Sequence, residues 1–311
     1  CKNIKKNPLK PNFKIALMGL FLNLCVETMI IFHKISDLEK ELAELRRKGL
    51  STCFVPTMGA LHQGHMSLVE KAKSVADLVV CSIFVNPAQF NEESDLDKYP
   101  RTIGADLKLL DQEGCHIVFI PEAKDIYAKN EFSSLQADYG SLTSTLEGEK
   151  RPGHFDGVAT VVNRLFEIIQ PNKACFGLKD FQQISIIRAM VKERRLPIEI
   201  IGCEIVREPS GLAMSSRNSL LKKEDLEHAA IIHKSMNWIS QNMEKESFGK
   251  LREKAILNIE KAGLLKTEYL EFVDPDTFDK KDVSKSEKPV VVLFAGWISG
   301  VRLIDNILVQ D

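Results

Sequence analysis

Short apolar runs alternate with helical patterns from Met29 to the end of the chain. Five runs are almost continuously hydrophobic, as expected for strands that helices cover on both faces. They span residues 53–56, 78–85, 116–120, 174–177 and 198–206. This alternation predicts βαβ units and an α/β fold with a doubly wound, mainly parallel sheet.

Helical periodicity is clearest over residues 158–169, where apolar side chains recur at intervals of three and four and Pro171 ends the pattern. An earlier strand over residues 30–32 leads to another helix, with an apolar stripe at Ile35, Leu38, Leu42 and Leu45. Ser36 and Glu39 have the spacing of a capping box, and Gly49 predicts the end of this helix.

The pattern changes after Val206. Two charged helical stretches, residues 223–241 and 248–261, precede strand patterns at 268–273 and 289–297, with a polar connection over 279–288. We therefore expect one domain over residues 29–205 and a smaller C-terminal α/β domain over 206–311, acting as a lid.

The first 28 residues differ in composition from the rest of the chain. Basic residues up to Lys14 precede an apolar run over residues 15–26, which superficially resembles a secretory signal. This run has no clean small-residue cleavage site and is too short to span a bilayer. We interpret residues 1–28 as an extension outside the fold.

Composition narrows the class of protein. The chain has 311 residues, of which 44% are hydrophobic, so it can bury a sizeable core. A formal net charge of -1 gives no basic surface for nucleic acid. The seven cysteines form no C-x-x-C pair, and several lie in apolar runs, which favours a reducing cytoplasm over a disulfide framework or zinc site.

The most informative stretch is the turn from Pro56 to His65, where Gly59 and Gly64 let the backbone approach a ligand closely. The following helix directs free N–H groups at the same place, which suits polyphosphate. His62 and His65 can donate hydrogen bonds to phosphate oxygens, with a charge that is tunable near neutral pH. Alternatively, they are partly exposed turn histidines or half of a metal site.

A second strand end carries Gly177, Leu178, Lys179 and Asp180 before another helix. Because ligands of open α/β sheets bind outside the carboxyl ends of the strands, this turn and the first can face one pocket. Lys179 supplies a point charge for phosphate. Asp180 could equally be the helix N-cap, and Gln183 could be a surface residue.

Two further segments supply polar groups. Ser215, Ser216 and Arg217 on a glycine-containing loop suit a mobile clamp on triphosphate, or form a polar turn before the next helix. Asn86-Pro87 breaks a strand and places Gln89 just past its carboxyl end, where a neutral amide suits a hydroxyl or carbonyl.

Several charged side chains are less specific. Asp95, Asp97 and Asp106 are typical of solvated surface, although one of them could assist a magnesium ion, and Asp106 is our candidate. Arg151 and His154 share the loop Arg-Pro-Gly-His-Phe at residues 151–155.

Seven motifs in register resemble the pantothenate synthetase family. They lie at residues 56–65, 82–90, 99–102, 151–155, 176–183, 210–218 and 302–306. The chain departs from the family pattern at Leu178, often Glu or Lys in the family, and at Ser210, commonly Asp. The resemblance implies a Rossmann-like core of the nucleotidyltransferase superfamily and a homodimer.

This resemblance also implies an activity: pantoate and β-alanine are joined at the expense of ATP, through a pantoyl-adenylate, to give pantothenate, AMP and pyrophosphate. Magnesium would accompany ATP, and no organic prosthetic group is needed. The implied catalytic residues are His62, His65, Lys179 and Arg217. The implied ATP-binding residues are Met58, Gly59, Ala60, Leu61, His62, Gln63, Gly64, His65, Gly177, Leu178, Lys179, Asp180, Val206, Met214, Ser215, Ser216 and Arg217. The implied substrate-binding residues are Asn86, Gln89, Arg151 and Gln183.

Two alternatives remain. A nucleotidyltransferase acting on a phosphorylated acceptor would need a second cationic pocket, whereas the expected acceptor groups here are the amides of Gln89 and Gln183. A ligand-binding relative without activity would be favoured only if His65, Lys179 or Arg217 were missing.

Overall fold

The computed structural model describes residues 28–90, 93–127, 135–281 and 289–309. The predicted extension over residues 1–28 lies outside these ranges except for Thr28, as does most of the predicted polar connection over 279–288. Within the described residues, no helix is both long and apolar enough to span a bilayer.

The larger sheet has six parallel strands. They are β1 (Ile30–Phe32), β2 (Thr52–Thr57), β3 (Leu78–Ile83), β4 (Ile117–Phe119), β5 (Lys173–Gly177) and β6 (Glu199–Cys203). Their order is β1-β4-β3-β2-β5-β6, which confirms the predicted parallel α/β sheet.

Helices cover both faces of this sheet. The helices of this part of the chain are α1 (Ile35–Arg47), α2 (Gln63–Val75), α3 (Glu93–Lys98), α4 (Ile103–Glu113), α5 (Ala123–Ile126), α6 (Ser141–Ser144), α7 (Glu147–Lys150), α8 (His154–Ile169) and α9 (Phe181–Glu193). Alternate strand residues face opposite layers: Phe54 and Val80 pack with α1 and α8, whereas Cys53 and Val79 pack with α2. This period of two explains why the strands are apolar throughout.

The start of α1 differs from the prediction. Its N-cap is Lys34, with no side-chain capping hydrogen bond, and the Ser36 hydroxyl lies 3.5 Å from Asp37. The predicted capping box of Ser36 and Glu39 is wrong because the helix already begins at Ile35, which places Ser36 inside the first turn. The predicted end is confirmed, since Gly49 adopts a φ of 80° just after the helix.

In the C-terminal part, the described residues form three α-helices and a three-stranded antiparallel sheet. They are α10 (Lys223–Ala229), α11 (Ile231–Asn242), α12 (Phe248–Glu260), β7 (Leu265–Val273), β8 (Val290–Ile298) and β9 (Val301–Val309), with strand order β7-β8-β9. The predicted helix over residues 223–241 is divided at Ala230. The sequence analysis missed β9, although its alternating apolar residues are a strand signal.

The larger sheet has its topological switch point between β2 and β5. These central strands are neighbours, yet the chain proceeds from β2 to β3 on one side and from β5 to β6 on the other. The helices that follow β2 and β5 therefore lie on opposite faces, which leaves a crevice at the carboxyl ends of these two strands. The turns that begin after Thr57 and Gly177 border this crevice.

A glycine in α8 lets the helix approach the segment after β3. A Cβ atom at Gly157 would lie 2.2 Å from the carbonyl oxygen of Ala88, in the short 3-10 helix Pro87–Gln89. Because both partners are main chain, neither can move away by a rotamer change. Gly157 therefore fixes the distance between α8 and the segment that carries Gln89.

We expect Gly157→Ala to lower the free energy of unfolding by about 1–3 kcal/mol, since the added methyl group overpacks a main-chain contact. Urea denaturation monitored by circular dichroism measures this loss. Gly249→Ala is the matched control: its new methyl group meets nothing within 4 Å, so its stability should stay within about 0.5 kcal/mol of the parent. Equal stabilities of the two variants would contradict the tight contact.

Candidate active site

Two histidines cap each other at the start of α2. His62 is the N-cap, and its Nδ1 accepts a hydrogen bond from the N–H of Gly64 at 3.1 Å. In return, the Nδ1 of His65 lies 3.3 Å from the N–H of His62. Because Nδ1 is the acceptor in both rings, a neutral ring carries its proton on Nε2.

Both imidazoles are neutral at pH 7. Burial, followed by the charge of Lys179, lowers the pKa of His62 to about 4. Burial, followed by His62 and Lys179, lowers the pKa of His65 to about 3. The prediction of a charge tunable near neutral pH is therefore wrong, and each ring offers an Nε2–H donor without a formal charge.

Asp106 on α4 holds the turn that precedes α2. Its Oδ2 accepts from the N–H of Ala60 at 3.0 Å and its Oδ1 from the N–H of Leu61 at 2.8 Å, while the Thr102 hydroxyl donates to Oδ1 at 3.1 Å. Gly59 lies next to this carboxylate and has a φ of 79°. A Cβ atom at this position would lie 3.1 Å from Oδ2 of Asp106. Both carboxylate oxygens are thus occupied by the protein itself.

The magnesium role of Asp106 stays a prediction that this geometry does not favour. Asp106 is only 1% exposed and is absent from the cavity wall described next. Nowhere among the described residues do three or more His, Cys, Asp or Glu side chains cluster so that they could hold a metal ion.

A cavity of about 230 Å³ lies at the switch point and brings together residues from all four predicted segments. The predicted site residues in its wall are Met58, His62, Gly64, His65, Asn86, Gln89, Gly177, Lys179, Asp180, Gln183, Val206, Met214, Ser215, Ser216 and Arg217. The position of Gln183 in the wall excludes the alternative of a purely surface residue. Asp180 occupies the N-cap position of α9, as that alternative held, although its side chain makes no capping hydrogen bond.

Six predicted contact residues are not in this wall. They are Gly59, Ala60, Leu61, Gln63, Leu178 and Arg151. The N–H groups of Ala60 and Leu61 are bound by Asp106, Gln63 is exposed, and Leu178 packs against the apolar core. Arg151 donates to the main-chain carbonyl of Gln89 and lines a neighbouring cavity with Lys179, Asp180 and Arg217.

Sequence reasoning missed Tyr99 and Glu204, which also line the cavity. Glu204 follows the last residue of β6, so the strand-end rule could have identified it. Tyr99 belongs to one of the motifs that carry the resemblance, and burial raises its pKa, so its phenol keeps its proton. The apolar side chains of Val158, Val161 and Leu165 on α8 also line the cavity.

The Gln89 amide is held by its neighbours but keeps a replaceable partner. Its Nε2 donates to the Met58 thioether at 2.9 Å, and its Oε1 accepts from Asn86 at 3.2 Å. A thioether is a weak acceptor. Asn86 is 1% exposed and also binds the Gly157 carbonyl and the Ala88 N–H, so in this structure it supports Gln89.

Strand β9 supports the turn that carries Lys179. The amide of Asn306 donates to the carbonyl oxygens of Leu178 and Lys179, both at 2.8 Å. Next to it, Asp305 binds Arg207 through two hydrogen bonds of 2.7 and 3.0 Å. The C-terminal sheet thereby joins the Lys179 turn to the loop that leads to Ser215.

The loop over residues 207–218 reaches back to the first turn. The Ser216 hydroxyl donates to the carbonyl oxygen of Ala60 at 3.0 Å, and the Ser215 side chain accepts from the N–H of Arg217 at 3.3 Å. The loop is thus a polar turn into the 3-10 helix Ser216–Leu220, as one alternative held, and it also lines the cavity. A mobile clamp on triphosphate stays a prediction.

These elements define an α/β protein with a ligand crevice at the switch point of a parallel sheet. The crevice joins hydrogen-bond donors and cations from the His62 turn, Lys179 and Arg217 to neutral amides at Gln89 and Gln183. Such a division suits a polyanion beside an uncharged polar group.

Comparison with known proteins assigns the chain to a family. The family model described as pantoate-beta-alanine ligase matches residues 30–308, so the chain belongs to this family. It is 44% identical over 285 residues to the pantothenate synthetase of Cytophaga hutchinsonii, a match that covers 90% of this chain and 99% of the relative.

Solved structures agree with the fold. The pantothenate synthetase of Thermus thermophilus superposes with a TM-score of 0.83 at 36% identity, covering 90% of this chain and 99% of that one. The pantoate-beta-alanine ligase of Francisella tularensis, complexed with beta-gamma ATP and beta-alanine, matches with a TM-score of 0.75 at 36% identity over 90% and 98% of the two chains. The predicted Rossmann-like core with a smaller C-terminal domain is confirmed.

We expect Asp106→Asn to destabilise the protein by about 1–3 kcal/mol, because one amide oxygen cannot replace two carboxylate oxygens that accept from the turn. Turnover should fall as well, and raising the magnesium concentration should not restore it. Steady-state rates across a magnesium titration measure this. Asp111→Asn, an exposed position on the same helix, is the control. Recovery of the Asp106→Asn variant in excess magnesium would instead support a metal ligand.

The lowered pKa of His154 predicts how the stability of the protein depends on pH. Burial, followed by the charge of Arg151, lowers the pKa of His154 from 6.5 to about 4. Between these values the unfolded chain binds a proton that the folded chain does not, so acidification favours unfolding. We expect a loss of about 1–2 kcal/mol between pH 7 and pH 5 from this residue alone.

Urea denaturation of the parent and of His154→Asn at both pH values isolates that contribution. The variant should lose less stability on acidification, because Asn does not titrate. If the two proteins lose the same free energy between pH 7 and pH 5, His154 does not have the lowered pKa.

Proposed function

We propose a division of the cavity between ATP and pantoate for the reaction of this family. The chain is an AMP-forming ligase that condenses pantoate with β-alanine to give pantothenate, AMP and pyrophosphate through a pantoyl-adenylate. In the proposed division, ATP phosphates lie against His62, His65, Lys179 and Ser215 to Arg217. Pantoate lies against Gln89 and Gln183.

The observation that carries this division is that one cavity is lined by two kinds of polar group. The histidine turn, Lys179 and Arg217 supply donors and cations, whereas Gln89 and Gln183 supply neutral amides and α8 supplies apolar side chains. Pantoate has hydroxyl groups and an apolar gem-dimethyl carbon, which suit amides and an apolar wall. Its carboxylate would then point towards the phosphates.

In the first step, a pantoate carboxylate oxygen attacks the α-phosphorus and the bond to the pyrophosphate oxygen breaks. Negative charge grows on the phosphate oxygens, so donors that are already in place stabilise the transition state without reorganisation. The Nε2–H groups of His62 and His65 are such donors, because their Nδ1 atoms are fixed on main-chain N–H groups.

In the second step, the β-alanine amine, as the free base, attacks the acyl carbon of the adenylate. The C–N bond forms, the C–O bond to AMP breaks, and the amine loses a proton. The acyl group is already activated, so alignment and exclusion of water are sufficient and no protein nucleophile is needed.

Magnesium is proposed to accompany ATP, bound mainly to phosphate oxygens and water as this ion prefers. Asp180 and Glu204 are acidic side chains in the described cavity wall and fit such a hydrated ion. When bound, the ion would neutralise phosphate charge. This proposal does not need the buried Asp106.

We also propose that residues 206–311 act as a lid over a core formed by residues 29–205. In support, this part carries Ser215 to Arg217 and braces the Lys179 turn through Asn306. The homodimer and the cytoplasmic location that we predicted remain proposals. The five described cysteines, Cys53, Cys81, Cys115, Cys175 and Cys203, are buried free thiols, as a reducing compartment would favour.

A nucleotidyltransferase with a phosphorylated acceptor fits the cavity less well. The groups proposed for the acceptor, Asn86, Gln89 and Gln183, are neutral amides, and the proposal assigns the cations of the described wall, Lys179 and Arg217, to ATP. An acceptor phosphate would therefore meet neutral amides and apolar side chains.

Exchange of labelled pyrophosphate into ATP tests the proposal. It should require pantoate but not β-alanine, since adenylation alone reverses the first step. We expect His65→Ala to slow this exchange by roughly 10²-fold, the scale of losing one preorganised donor. His228→Ala, an exposed histidine on α10, should exchange at the parent rate.

Exchange supported by a phosphorylated acceptor instead of pantoate would contradict the ligase. A near-normal rate for His65→Ala would remove His65 from the mechanism while leaving the ligase in place.

A further inference from the structure

Arg151 and His154 form a polar cluster on the main chain of Gln89 that has no role in the mechanism proposed above. His154, 7% exposed at the first residue of α8, directs its Nδ1 at the main-chain carbonyl of Gln89 at 2.8 Å. Its Nε2 lies 3.1 Å from Nη1 of Arg151. Arg151 in turn donates from Nη2 to the same Gln89 carbonyl at 3.3 Å.

These contacts allow one protonation state of His154. A carbonyl oxygen only accepts, so Nδ1 must carry a proton, and a guanidinium only donates, so Nε2 must be bare. His154 is therefore the neutral Nδ1–H tautomer, opposite to that of His62 and His65. Its low pKa agrees with this geometry, since a proton on Nε2 would face the charge of Arg151.

Arg151 is itself oriented by the C-terminal sheet. Its Nη1 lies 3.8 Å from the Glu147 carboxylate. That carboxylate binds Arg302 of β9 at 2.6 and 2.8 Å and accepts from the Tyr269 hydroxyl of β7 at 2.6 Å. Charged and polar groups thus connect β7 and β9 to the main chain of Gln89 without interruption.

We propose that Arg151 and His154 are positioning residues for pantoate, acting through Gln89. Two donors on its carbonyl and the Gly157 contact on Ala88 fix the main chain, so that the Gln89 amide points into the cavity. The amide donor then exchanges the weak Met58 thioether for a substrate oxygen. This inference rests on the proposed placement of pantoate at Gln89.

The two amide replacements of His154 separate positioning from folding. His154→Asn keeps a donor near the place of Nδ1, whereas His154→Gln places its amide near Nε2 and loses the donor to Gln89. We expect His154→Gln to raise KM for pantoate by about 5- to 10-fold, the scale of one lost hydrogen bond. His154→Asn should stay within about twofold, and both variants should keep KM for ATP within about twofold.

Arg151→Lys provides a second test if a His154 variant does not fold, which urea denaturation will show. Lysine keeps the charge but not the fork that reaches His154 and Gln89 together. We expect KM for pantoate to rise about fivefold or more, again with little change for ATP.

Gln89→Ala is the reference variant. If it leaves KM for pantoate unchanged, the substrate does not bind there and the proposed division of the cavity fails. If Gln89→Ala raises that KM while His154→Gln and Arg151→Lys do not, the division stands and the positioning role is wrong. Equal increases in KM for pantoate and for ATP would indicate that Arg151 and His154 have only a structural role.

Discussion

The structure of the site depends on how the turn between β2 and α2 satisfies its main-chain N–H groups. Asp106 binds two of them, and the two histidine Nδ1 atoms bind two more, at His62 and Gly64. The turn is thus completed by the protein itself, without a ligand. What it leaves for a ligand is the outer edge of both imidazoles.

This arrangement also fixes the electrostatics. Because both histidines are partly buried and lie near Lys179, protonating either of them is unfavourable. The positive charge in the described cavity wall therefore comes from Lys179 and Arg217, and the histidines contribute directed donors. In the proposed ATP site, neutral donors would bind ATP less strongly in its ground state than cations would. They would still stabilise the negative charge that grows on the phosphate oxygens during adenylation.

The sequence allowed the strands of the larger sheet to be predicted, because buried parallel strands are apolar throughout and end at polar, glycine-containing turns. It also placed the cavity residues that follow β2, β3 and β5, since those strand ends meet at one edge. The resemblance to the family predicted a binding role for the loop over residues 210–218, which hydrophobic periodicity alone left open.

Other roles could not be predicted because they depend on distances between segments far apart in the chain. Asp106 looks like a surface acid in an amphipathic helix, and only the fold brings it onto the turn at Ala60. Arg151 has the residue type of a substrate contact, yet it is not in the wall of the cavity at the switch point and binds the main chain of Gln89 instead. Gly157 and Asn306 are likewise inconspicuous until Ala88 and the Lys179 turn lie against them.

The state of His62 and His65 is the central claim, and nitrogen NMR of the histidine side chains measures it directly. In protein labelled with ¹⁵N at histidine, with each signal assigned by single His→Asn replacement, both rings should show a bare Nδ1 and a protonated Nε2 at pH 7. At pH 5 both rings should still be mainly in this neutral form. Imidazolium signals at pH 7, or a proton on Nδ1 of either ring, would contradict the account.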